Sequence, residues 1–526
     1  MKNHSGFSAL ILLFCCLATV VNAQQNTFAK VYYDISGATQ ANALVRTFDQ
    51  NYLVAGSKDN VASVMKVDMS GNIVWTRKYG TASGSHFGCI IPTYQLNFMT
   101  AGTTTIPGTG GNNNIFCAEI NHAGDTLWTR VIDMGQTVTV FSAQETSDHG
   151  FILAGYLGGG ALPASHILVV KLDLNGYLQW SSILDSGNEN NFGYSVKETT
   201  DSGYIVSGEI ENYPPYSRNA CLIKLTHTGA VSWSKKIVGP SPFYSSGWDV
   251  IVTTGGFIFY LYTSPPGAAI IKTDLSGNYQ WGKFYNSYSG GANYGAQLPR
   301  LHTTYDNGYV FMSSMSGFDQ MIKTDSAANL QWGQTFQLVA SDVIPAFGPG
   351  YMVLGNGPIM GVKSPTLNPQ VALIRTDSAG NTTACSFAAS ISPGSGTVTL
   401  VLATFAATTG GSHVTMHPAL SGAALSVFEG CVPVLAGVAE TSPGDELFGV
   451  SPNPSGGIFQ IINLHPERHT LLHAEIVNAM GVTVYRSPAG FSNQITADLS
   501  SLPDGICFAR VTFNDGTATR KILLQH

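Results

Sequence analysis

Short apolar runs alternate with tight turns through the first two thirds of the chain, and one phrase marks the repeat. In residues 68–75, Asp68 can bond the backbone two residues on, Gly71 supplies the positive φ of a tight reversal, and Trp75 follows in the next strand. The phrase returns at residues 121–128, 173–180, 226–233, 274–281 and 325–332, and a seventh copy at 377–381 has Ala384 in the Trp position. Successive Trp residues lie 53, 52, 53, 48 and 51 positions apart, and a period near 50 predicts a propeller or a solenoid.

A second phrase lies between one Trp and the next and completes the repeat. In residues 47–56 an aromatic residue follows Asp49 by three positions and a Gly follows it by seven. The spacing holds in residues 146–155 and 199–208, and weaker copies lie at 254–258, 304–310 and 348–353. Each repeat therefore predicts four short strands, and the third, as in 167–170, is apolar at consecutive positions, which indicates burial on both faces. These features predict an all-β, seven-bladed β-propeller over residues 24–385, with a solenoid as the alternative.

The two ends of the repeat region complement each other. The seventh copy lacks its Trp strand, and residues 28–32 match residues 281–285 in residue type and spacing. We therefore expect the N-terminal segment to complete the last blade and to close the ring.

A basic residue stands five positions before the turn Gly, or its Ala328 equivalent, in six of the seven copies. Glu119 is the exception, and an Asp often follows two positions after the basic residue, on the same face of the strand. We interpret these residues as repeated Lys–Asp pairs that satisfy charges between blades. A ring of cations that binds an anion is the alternative.

The first 23 residues have the pattern of a secretory signal. Lys2 gives a positive start, residues 9–21 form the apolar core, and small residues precede a cleavage site between Ala23 and Gln24. A membrane anchor is the alternative, although the apolar run is short for a span. Charged residues make up 11% of the chain and the formal net charge is −7, which suits an extracellular β-protein and argues against nucleic acid as a partner.

Residues 386–443 break the period. Their apolar runs, separated by Gly- and Ser-rich turns, predict strands that either pack on the propeller or form a small module of their own. Cys385 and Cys431 bracket the segment, and in an exported protein they are candidates for a disulfide. The other cysteines beyond the signal are predicted to be separate buried thiols: Cys89, Cys117, Cys221 and Cys507.

From about residue 444 the chain resembles a known family. The match rests on motif residues in a fixed order: Pro452, Asn453, Pro454, Gly456, Gly481, Gly505 and Lys521. These segments resemble the type A C-terminal sorting domain of the type IX secretion system, with Cys507 where the family usually shows Tyr. The resemblance implies a small β-sandwich over residues 444–526, contact with the type IX machinery and passage through the periplasm and outer membrane. It also implies, in many members, removal of the domain and attachment to surface lipopolysaccharide.

No grouping of residues predicts a catalytic site, a metal or a cofactor. The sequence has no Gly-x-Ser-x-Gly elbow, no His-Glu-x-x-His motif and no phosphate loop. The Trp hairpins resemble those of quinoprotein propellers, but the Asp-to-Trp spacing is one residue shorter, so we interpret each Trp as a packing residue between blades.

Two functions fit this organisation. We favour an exported, surface-attached and non-catalytic binding propeller whose loops hold a glycan or a protein, because propellers present loops on a rigid frame. The alternative is an enzyme that degrades an extracellular polymer at a site in the central channel.

Overall fold

The computed structural model describes most of the chain. It covers residues 27–33, 38–80, 84–105, 111–158, 165–187, 190–212, 217–239, 244–264, 267–286, 300–313, 319–336, 338–356, 370–382, seven short strands between 386 and 429, 448–452, 456–467, 469–478, 483–487, 493–502, 505–514 and 516–524. Within these residues, no helix has the length and apolar character needed to cross a membrane. The chain divides into two compact units, residues 1–431 and 432–526.

Each of the seven repeats forms one antiparallel sheet, or blade, to which it contributes four strands. From the innermost strand outward, blades one to four are Thr39–Arg46, Tyr52–Lys58, Val61–Val67 and Ile73–Tyr79; His86–Pro92, Phe98–Thr105, Asn113–Ile120 and Thr126–Asp133; Val138–Glu145, Phe151–Leu157, His166–Leu172 and Leu178–Asp185; Asn190–Glu198, Tyr204–Asn212, Ser217–Leu225 and Val231–Val238. Blades five to seven are Tyr244–Thr253, Gly256–Ser264, Gly267–Thr273 and Tyr279–Asn286; Leu301–Thr303, Tyr309–Ser313, Asp319–Thr324 and Leu330–Phe336; Val339–Pro345, Tyr351–Asn356, Val371–Arg375 and Phe28–Tyr33.

The N-terminal strand closes the ring, as the sequence predicted. Phe28–Tyr33 pairs antiparallel with Val371–Arg375, with Phe28 opposite Arg375 and Tyr32 opposite Val371. The innermost strands of successive blades contact one another in turn, and the innermost strand of blade one contacts that of blade seven. The predicted all-β, seven-bladed propeller is therefore confirmed.

The hydrophobic core lies between neighbouring blades. The third strand of a blade is buried on both faces and contributes side chains to two of these interfaces. In His166–Leu172, Ile167 and Val169 pack in a cluster with blade four, whereas Leu168 and Val170 pack in a cluster with blade two. Consecutive apolar residues of one strand therefore pack alternately against the two neighbouring blades.

The strands of residues 386–429 do not form a separate sheet. Each of the seven adds a fifth, outermost strand to one blade, so that every blade has five strands where the repeat predicted four. We call these seven strands the outer belt; in chain order they lie on blades six, five, four, three, two, one and seven and comprise Ser386–Ala388, Ser392–Gly394, Thr399–Leu402, Ala406–Thr408, Ser412–Val414, Leu420–Gly422 and Ser426–Glu429. The belt pairs with the outer strands, whose edges would otherwise be free to pair with other chains.

The Trp residues pack between blades. A Cβ placed on Gly229, in the outer turn of blade four, would lie 2.7 Å from Cζ3 of Trp180 in blade three. The same relationship joins Trp75 to Gly124, Trp128 to Gly176, Trp233 to Gly277 and Trp332 to Gly380. Gly is required in this turn for two reasons. Its φ is positive, and the Trp ring of the preceding blade occupies the space in which a side chain would lie.

Four of the five repeated lysines form ion pairs, but with a different Asp from the one predicted and within one blade instead of between blades, whereas Lys272 donates to the hydroxyl of Thr253. Nζ of Lys66 lies 2.6 Å from Asp49, and the pairs Lys171–Asp148, Lys224–Asp201 and Lys323–Asp306 lie at 2.9, 3.0 and 2.8 Å. These carboxylates belong to the first turn of the same blade. The Asp two positions after the Lys instead caps its own turn: Asp68 Oδ1 accepts the backbone N–H groups of Ser70 and Asn72 at 2.8 Å.

The second unit is a small β-sandwich. One sheet contains Phe448–Ser451, Ile458–Asn463 and Gln494–Asp498, and the other contains Thr483–Arg486, Leu471–Asn478, Gly505–Phe513 and Gly516–Leu524. Phe459 and Ile461 of the first sheet share one buried core with Ile476 and Val511 of the second.

Candidate functional site

The central channel is lined by residues at one recurring kink of the innermost strands. In six of these seven strands the register shifts by one residue near the start of the strand, which is the signature of a β-bulge. The residues skipped by the pairing are Asn42, Gly88, Phe141, Tyr194, Trp248 and Ser341. Five of them, with Asp249 and Arg300, line a cavity with an empty volume of about 320 Å³, part of which is open solvent.

The polar atoms of Arg300 and Asp249 in this cavity are largely hydrogen-bonded to other residues of the propeller. Nη2 of Arg300, in blade six, donates a hydrogen bond of 2.6 Å to the carbonyl oxygen of Phe141, in blade three. Asp249 accepts the backbone N–H of Leu301 at 3.0 Å and the hydroxyl of Ser195. Burial alone would raise the pKa of Asp249, but the charges of Lys197 and Arg300, with these hydrogen bonds, hold it below the ordinary value.

A second buried carboxylate lies behind Tyr194. Glu209 is 3% exposed, receives hydrogen bonds from the hydroxyls of Tyr194 and Ser246, and lies 3.7 Å from Nε of Arg218. Burial raises the pKa of Glu209 despite the charge of Arg218. Burial and the neighbouring Glu209 likewise raise the pKa of Tyr194 well above its ordinary value.

The pKa values of Asp249 and Glu209 are thus displaced in opposite directions, as they are in acid–base pairs of hydrolases. Glu209, however, does not line the cavity, and Tyr194 separates it from the channel. Asp249 uses both of its oxygens on neighbouring strands. The polar groups of the described channel residues therefore join the blades to one another. They do not present a free carboxylate to a substrate.

The most exposed aromatic side chains near the axis lie at the opposite end of the ring. The first turn of each blade joins its innermost strand to its second strand, so all seven first turns lie at one end of the propeller. Phe48 of blade one is 50% exposed, Tyr94 of blade two is 64% exposed and Tyr305 of blade six is 67% exposed. We call these three residues, with the half-buried Phe347 of blade seven, the aromatic arc, because they occupy the same turn position in four consecutive blades.

Contacts across the blades tie the arc together. Cζ of Arg46 lies 5.7 Å from the ring centroid of Tyr305 and 5.6 Å from that of Phe347, and its guanidinium also donates to the Tyr305 hydroxyl. Tyr94 stacks on His149 of blade three, with centroids 4.1 Å apart. The rings are therefore held in place with part of their surface open to solvent.

The repeat provides an internal control for the aromatic arc. Blades three, four and five carry the small polar residues Ser147, Thr200 and Thr254 at the corresponding position. The first turns of blades three and four have the same backbone hydrogen bonds as that of blade one, and blade five makes a shorter turn in which Thr253 pairs with Gly256. An aromatic ring at this position is therefore not needed to build a blade. The ring is present at this position in four adjacent blades, six, seven, one and two.

The sequence motifs did not identify this surface. Phe48 and Tyr305 lie inside the second repeat phrase, but the copy in blade two, at residues 93–98, has Leu96 with a φ of +61° where other copies have a typical turn residue. The signal that could have revealed the arc is the second residue of each first turn, which follows a Thr in six repeats and Ala346 in the seventh, compared across the seven repeats.

Several predicted site residues lie outside the described part of the chain. These are the signal cleavage residues Ala23 and Gln24, the cysteines Cys385 and Cys431, and the motif residues Asn453, Pro454 and Gly481. Of the other motif residues, Pro452 and Gly456 are exposed near the first turn of the sandwich, and Gly505 and Lys521 lie on its last two strands, opposite Leu524 and Phe508. The predicted buried thiols Cys89, Cys117, Cys221 and Cys507 are buried and free.

Comparison with known proteins bears on the second unit. Residues 449–525 match the family described as "Secretion system C-terminal sorting domain". The chain ends in a type IX sorting domain. This sorting domain marks the protein for export out of the cell and implies an interaction with the type IX secretion machinery. No curated protein matches the chain.

Solved structures, two of them propellers, are similar to this chain. The Dos1 propeller matches with 11% identity and a TM-score of 0.40, covering 66% of this chain and 80% of its own. Virginiamycin B lyase from Staphylococcus aureus matches with 8% identity and a TM-score of 0.39, covering 66% of this chain and 99% of its own. A protein of unknown function from Bacteroides caccae matches with 10% identity and a TM-score of 0.34, covering 58% of this chain and 93% of its own.

Proposed function

We propose that this protein is a non-catalytic, glycan-binding propeller that the type IX system delivers to the cell surface. The aromatic arc carries the proposal, because its four rings occupy the same turn position in the consecutive blades six, seven, one and two, and three of them are 50–67% exposed. Flat, partly exposed rings on a rigid frame can stack against the apolar faces of sugar rings.

The surroundings of the arc favour a glycan over a protein. Polar side chains interrupt the rings, so the arc is not a continuous apolar patch of the kind that covers a protein interface. Between Phe48 and the second strand of blade one, the turn presents the exposed side chain of Gln50. An amide beside an exposed ring can donate and accept hydrogen bonds with sugar hydroxyls.

A polymer-degrading enzyme with a site in the channel is the alternative. Such an enzyme needs two carboxylates that reach the scissile bond from opposite sides. Asp249 lines the cavity and is bonded to strands of two blades. Asp342, the residue after the bulge of blade seven, does not line it; this carboxylate accepts the backbone N–H of Val343 at 2.9 Å and lies 3.0 Å from Nε2 of His302. This arrangement supports binding rather than hydrolysis.

The export route adds three expectations. We propose that residues 1–23 direct the chain into the periplasm, that cleavage follows Ala23, and that the sorting domain is removed as the chain is joined to surface lipopolysaccharide. Mass spectrometry of the protein recovered from the cell surface tests all three, since it gives the two termini and any attached lipid together.

A binding screen tests the proposed function. The full mature chain is probed with hexasaccharides of neutral β-glucan, mannan and xylan and with an acidic uronate hexasaccharide, and the products are then analysed by chromatography. The proposal expects binding of at least one hexasaccharide with no change in its length. Shortened oligosaccharides would support the enzyme instead, and the absence of binding to every hexasaccharide would contradict the proposal.

A further inference from the structure

Arg46 occupies a repeated position at which two other blades carry a carboxylate. The residue four positions after the bulge of the innermost strand is Arg46 in blade one, Glu145 in blade three and Glu198 in blade four. Each Glu accepts, at 2.7 Å, the backbone N–H of the second turn residue in the preceding blade. Arg46 also reaches the second turn residue of the preceding blade, Phe347, whose ring centroid lies 5.6 Å from its Cζ. The chain thus places a cation in the aromatic arc where other blades have an anion.

The first turn of blade seven lacks the carboxylate that pairs with the repeated cation in other blades. In blade one Asp49 pairs with Lys66, and three further blades repeat this ion pair. In blade seven Gly348 takes the position of Asp49, and Arg375 takes the position of Lys66. Arg375 is buried and donates hydrogen bonds of 3.1 and 2.6 Å to a tyrosine hydroxyl and a backbone carbonyl, both uncharged. Blade seven therefore has the cation of the repeat without its anion.

Two cations of the aromatic arc are consequently without an acidic partner. Neither Arg46 nor Arg375 forms an ion pair with any residue that the structure describes. The carboxylates of the adjacent first turns, Asp49 and Asp306, are each held by a Lys at 2.6 and 2.8 Å. Burial raises the pKa of Tyr52, and the charges of Arg375 and Arg46 both oppose this shift, so the two cations act at one place. Their positive charge is available to a ligand.

The guanidinium of Arg46 lies beside two rings of the arc and an open part of the surface. Its Cζ lies 5.7 Å from the ring centroid of Tyr305, and it donates to the Tyr305 hydroxyl. Its other N–H groups donate to none of the described residues. Gly348, the residue after Phe347, is exposed, and a Cβ placed on it would meet no atom within 4 Å. A planar set of N–H donors with such space nearby is suited to a carboxylate or a sulfate.

The blade-two end of the arc has the opposite charge. Glu145 accepts the backbone N–H of Tyr94 at 2.7 Å and lies 3.6 Å from Nδ1 of His149. An anionic group is therefore favoured at the Arg46 end of the arc and disfavoured beside Tyr94.

We propose that the glycan held by the aromatic arc is acidic, and that Arg46 binds its carboxylate or sulfate groups. This inference rests on the proposed function and adds the chemical class of the ligand. The sugar rings pack against the exposed aromatic surface, and the guanidinium donates hydrogen bonds to the anionic substituent. Arg375 is buried, so it strengthens binding through its charge without contacting the ligand.

Paired oligosaccharides test the inference on the full mature chain. Calorimetric titration compares a uronate hexasaccharide, the neutral hexasaccharide made by reducing its carboxylates to alcohols, and a sulfated form of that neutral chain. At least one acidic hexasaccharide is expected to bind about tenfold more tightly than the neutral one, and the tighter of the two acidic chains identifies the anionic group. Its affinity should fall as the salt concentration rises, whereas the affinity of the neutral chain should not.

The outcomes separate this inference from the proposed function. Equal or tighter binding of a neutral hexasaccharide, or an acidic chain whose affinity does not depend on salt, would overturn the acidic ligand but leave glycan binding in place. The absence of binding to every hexasaccharide would contradict the proposed function itself.

Substitution of Arg46 tests its role. Arg46→Gln is expected to weaken binding of the acidic hexasaccharide about tenfold and to change that of the neutral one by less than about twofold. Arg46→Lys keeps the charge without the planar fork and should be intermediate. The control Arg77→Gln removes an equal charge whose Cζ lies 5.8 Å from the ring centroid of Trp75, in the fourth strand of blade one, and should bind like the unaltered chain.

The Tm of each variant reports whether it has folded. A folded Arg46→Gln variant with unchanged affinity for the acidic hexasaccharide, or an equal loss in Arg77→Gln, would contradict the role of Arg46. Should Arg46→Gln not fold, the ligand preference and the salt dependence of the unaltered chain decide the inference.

Discussion

Arg300 Nη2 donates a hydrogen bond of 2.6 Å to the carbonyl oxygen of Phe141, although the two residues belong to blades six and three. The bond joins blades that are not neighbours in the ring, and the same guanidinium contributes to the low pKa of Asp249. The polar lining of the channel is therefore part of the structural framework.

This relationship predicts the effect of Arg300→Ala. The substitution leaves the Phe141 carbonyl without its donor and removes one of the two cations near Asp249, of which Lys197 remains, so we expect the free energy of unfolding to fall by about 1–3 kcal/mol. Arg300→Lys keeps the charge but not the planar fork, and its effect should be smaller. Urea denaturation measures both. A variant that folds normally but loses all glycan binding would assign the ligand to the channel instead of the aromatic arc.

The Trp–Gly contact between blades predicts a difference between two glycines with the same φ. Gly229 and Gly111 both have a φ of +82°, but a Cβ on Gly229 would lie 2.7 Å from Trp180, whereas a Cβ on Gly111 would meet nothing within 4 Å. Both Ala substitutions incur the same backbone strain of about 1–2 kcal/mol. Gly229→Ala should cost roughly 1–3 kcal/mol more, because it also displaces a packed ring. Equal losses of stability in urea would show that the Trp does not restrain the turn.

The Lys–Asp pairs of the first turns predict a loss of stability in acid. Burial alone would raise the pKa of Asp201 and Asp306, but hydrogen bonds lower both to about 2, chiefly those from Thr199 and Lys224 to Asp201 and those from Lys323 and Thr304 to Asp306. A depressed folded-state pKa means that the stabilisation is present above the unfolded value, near 4, and is lost as the pH falls towards 2.

The measurement is the Tm of the unaltered chain and of the double variant Asp201→Asn, Asp306→Asn, at pH 6 and at pH 2. The variant should be less stable at pH 6, by a modest amount because the carboxylates are largely exposed, and the two proteins should converge at pH 2. A Tm difference that stays constant between these pH values would show that the ion pairs do not contribute.

Because the N-terminal strand closes the ring, we expect the stability of the propeller to depend on residues 28–33. Removal of residues 24–27 leaves Phe28–Tyr33 intact and should not change the Tm of the propeller. Removal of residues 24–33 takes away the fourth strand of blade seven and the bond from the Tyr32 hydroxyl to the Gly71 carbonyl, which measures 2.7 Å. This longer deletion exposes strand edges on both sides of the gap and is expected to yield aggregated protein. A monomeric product with an unchanged Tm, measured by size-exclusion chromatography and heating, would contradict the closure.

The sequence predicted the features that repeat and missed those that do not. The turn phrase and the Trp period were enough to predict seven blades, and the match between residues 28–32 and 281–285 was enough to predict their closure. The outer belt could not be assigned to the blades, because its strands have only three or four residues and lack the period of the repeats. The wrong Asp was chosen for the lysines because both candidates recur at fixed spacing, and only the fold shows which of them the Lys side chain reaches.

The candidate surface was harder to predict than the fold. An aromatic residue in one turn is unremarkable in a sequence, since single exposed apolar side chains are common. The pattern becomes informative when the seven blades are placed around one axis, because Tyr305, Phe347, Phe48 and Tyr94 then occupy successive positions. Residues from distant repeats meet there: Arg46 bonds to Tyr305 across 259 positions of the chain.

Calorimetric titration of the hexasaccharide that binds best tests the central claim most directly. It compares the full mature chain with the double variant Tyr94→Ala, Tyr305→Ala and with the control Tyr177→Ala, whose tyrosine is 50% exposed in an outer turn of blade three. The aromatic arc predicts that the double variant, with an unchanged Tm, binds at least tenfold more weakly, about 1.4 kcal/mol, while the control binds like the unaltered chain. Unchanged affinity in the double variant, or an equal loss in the control, would contradict the assignment of the glycan site to the arc.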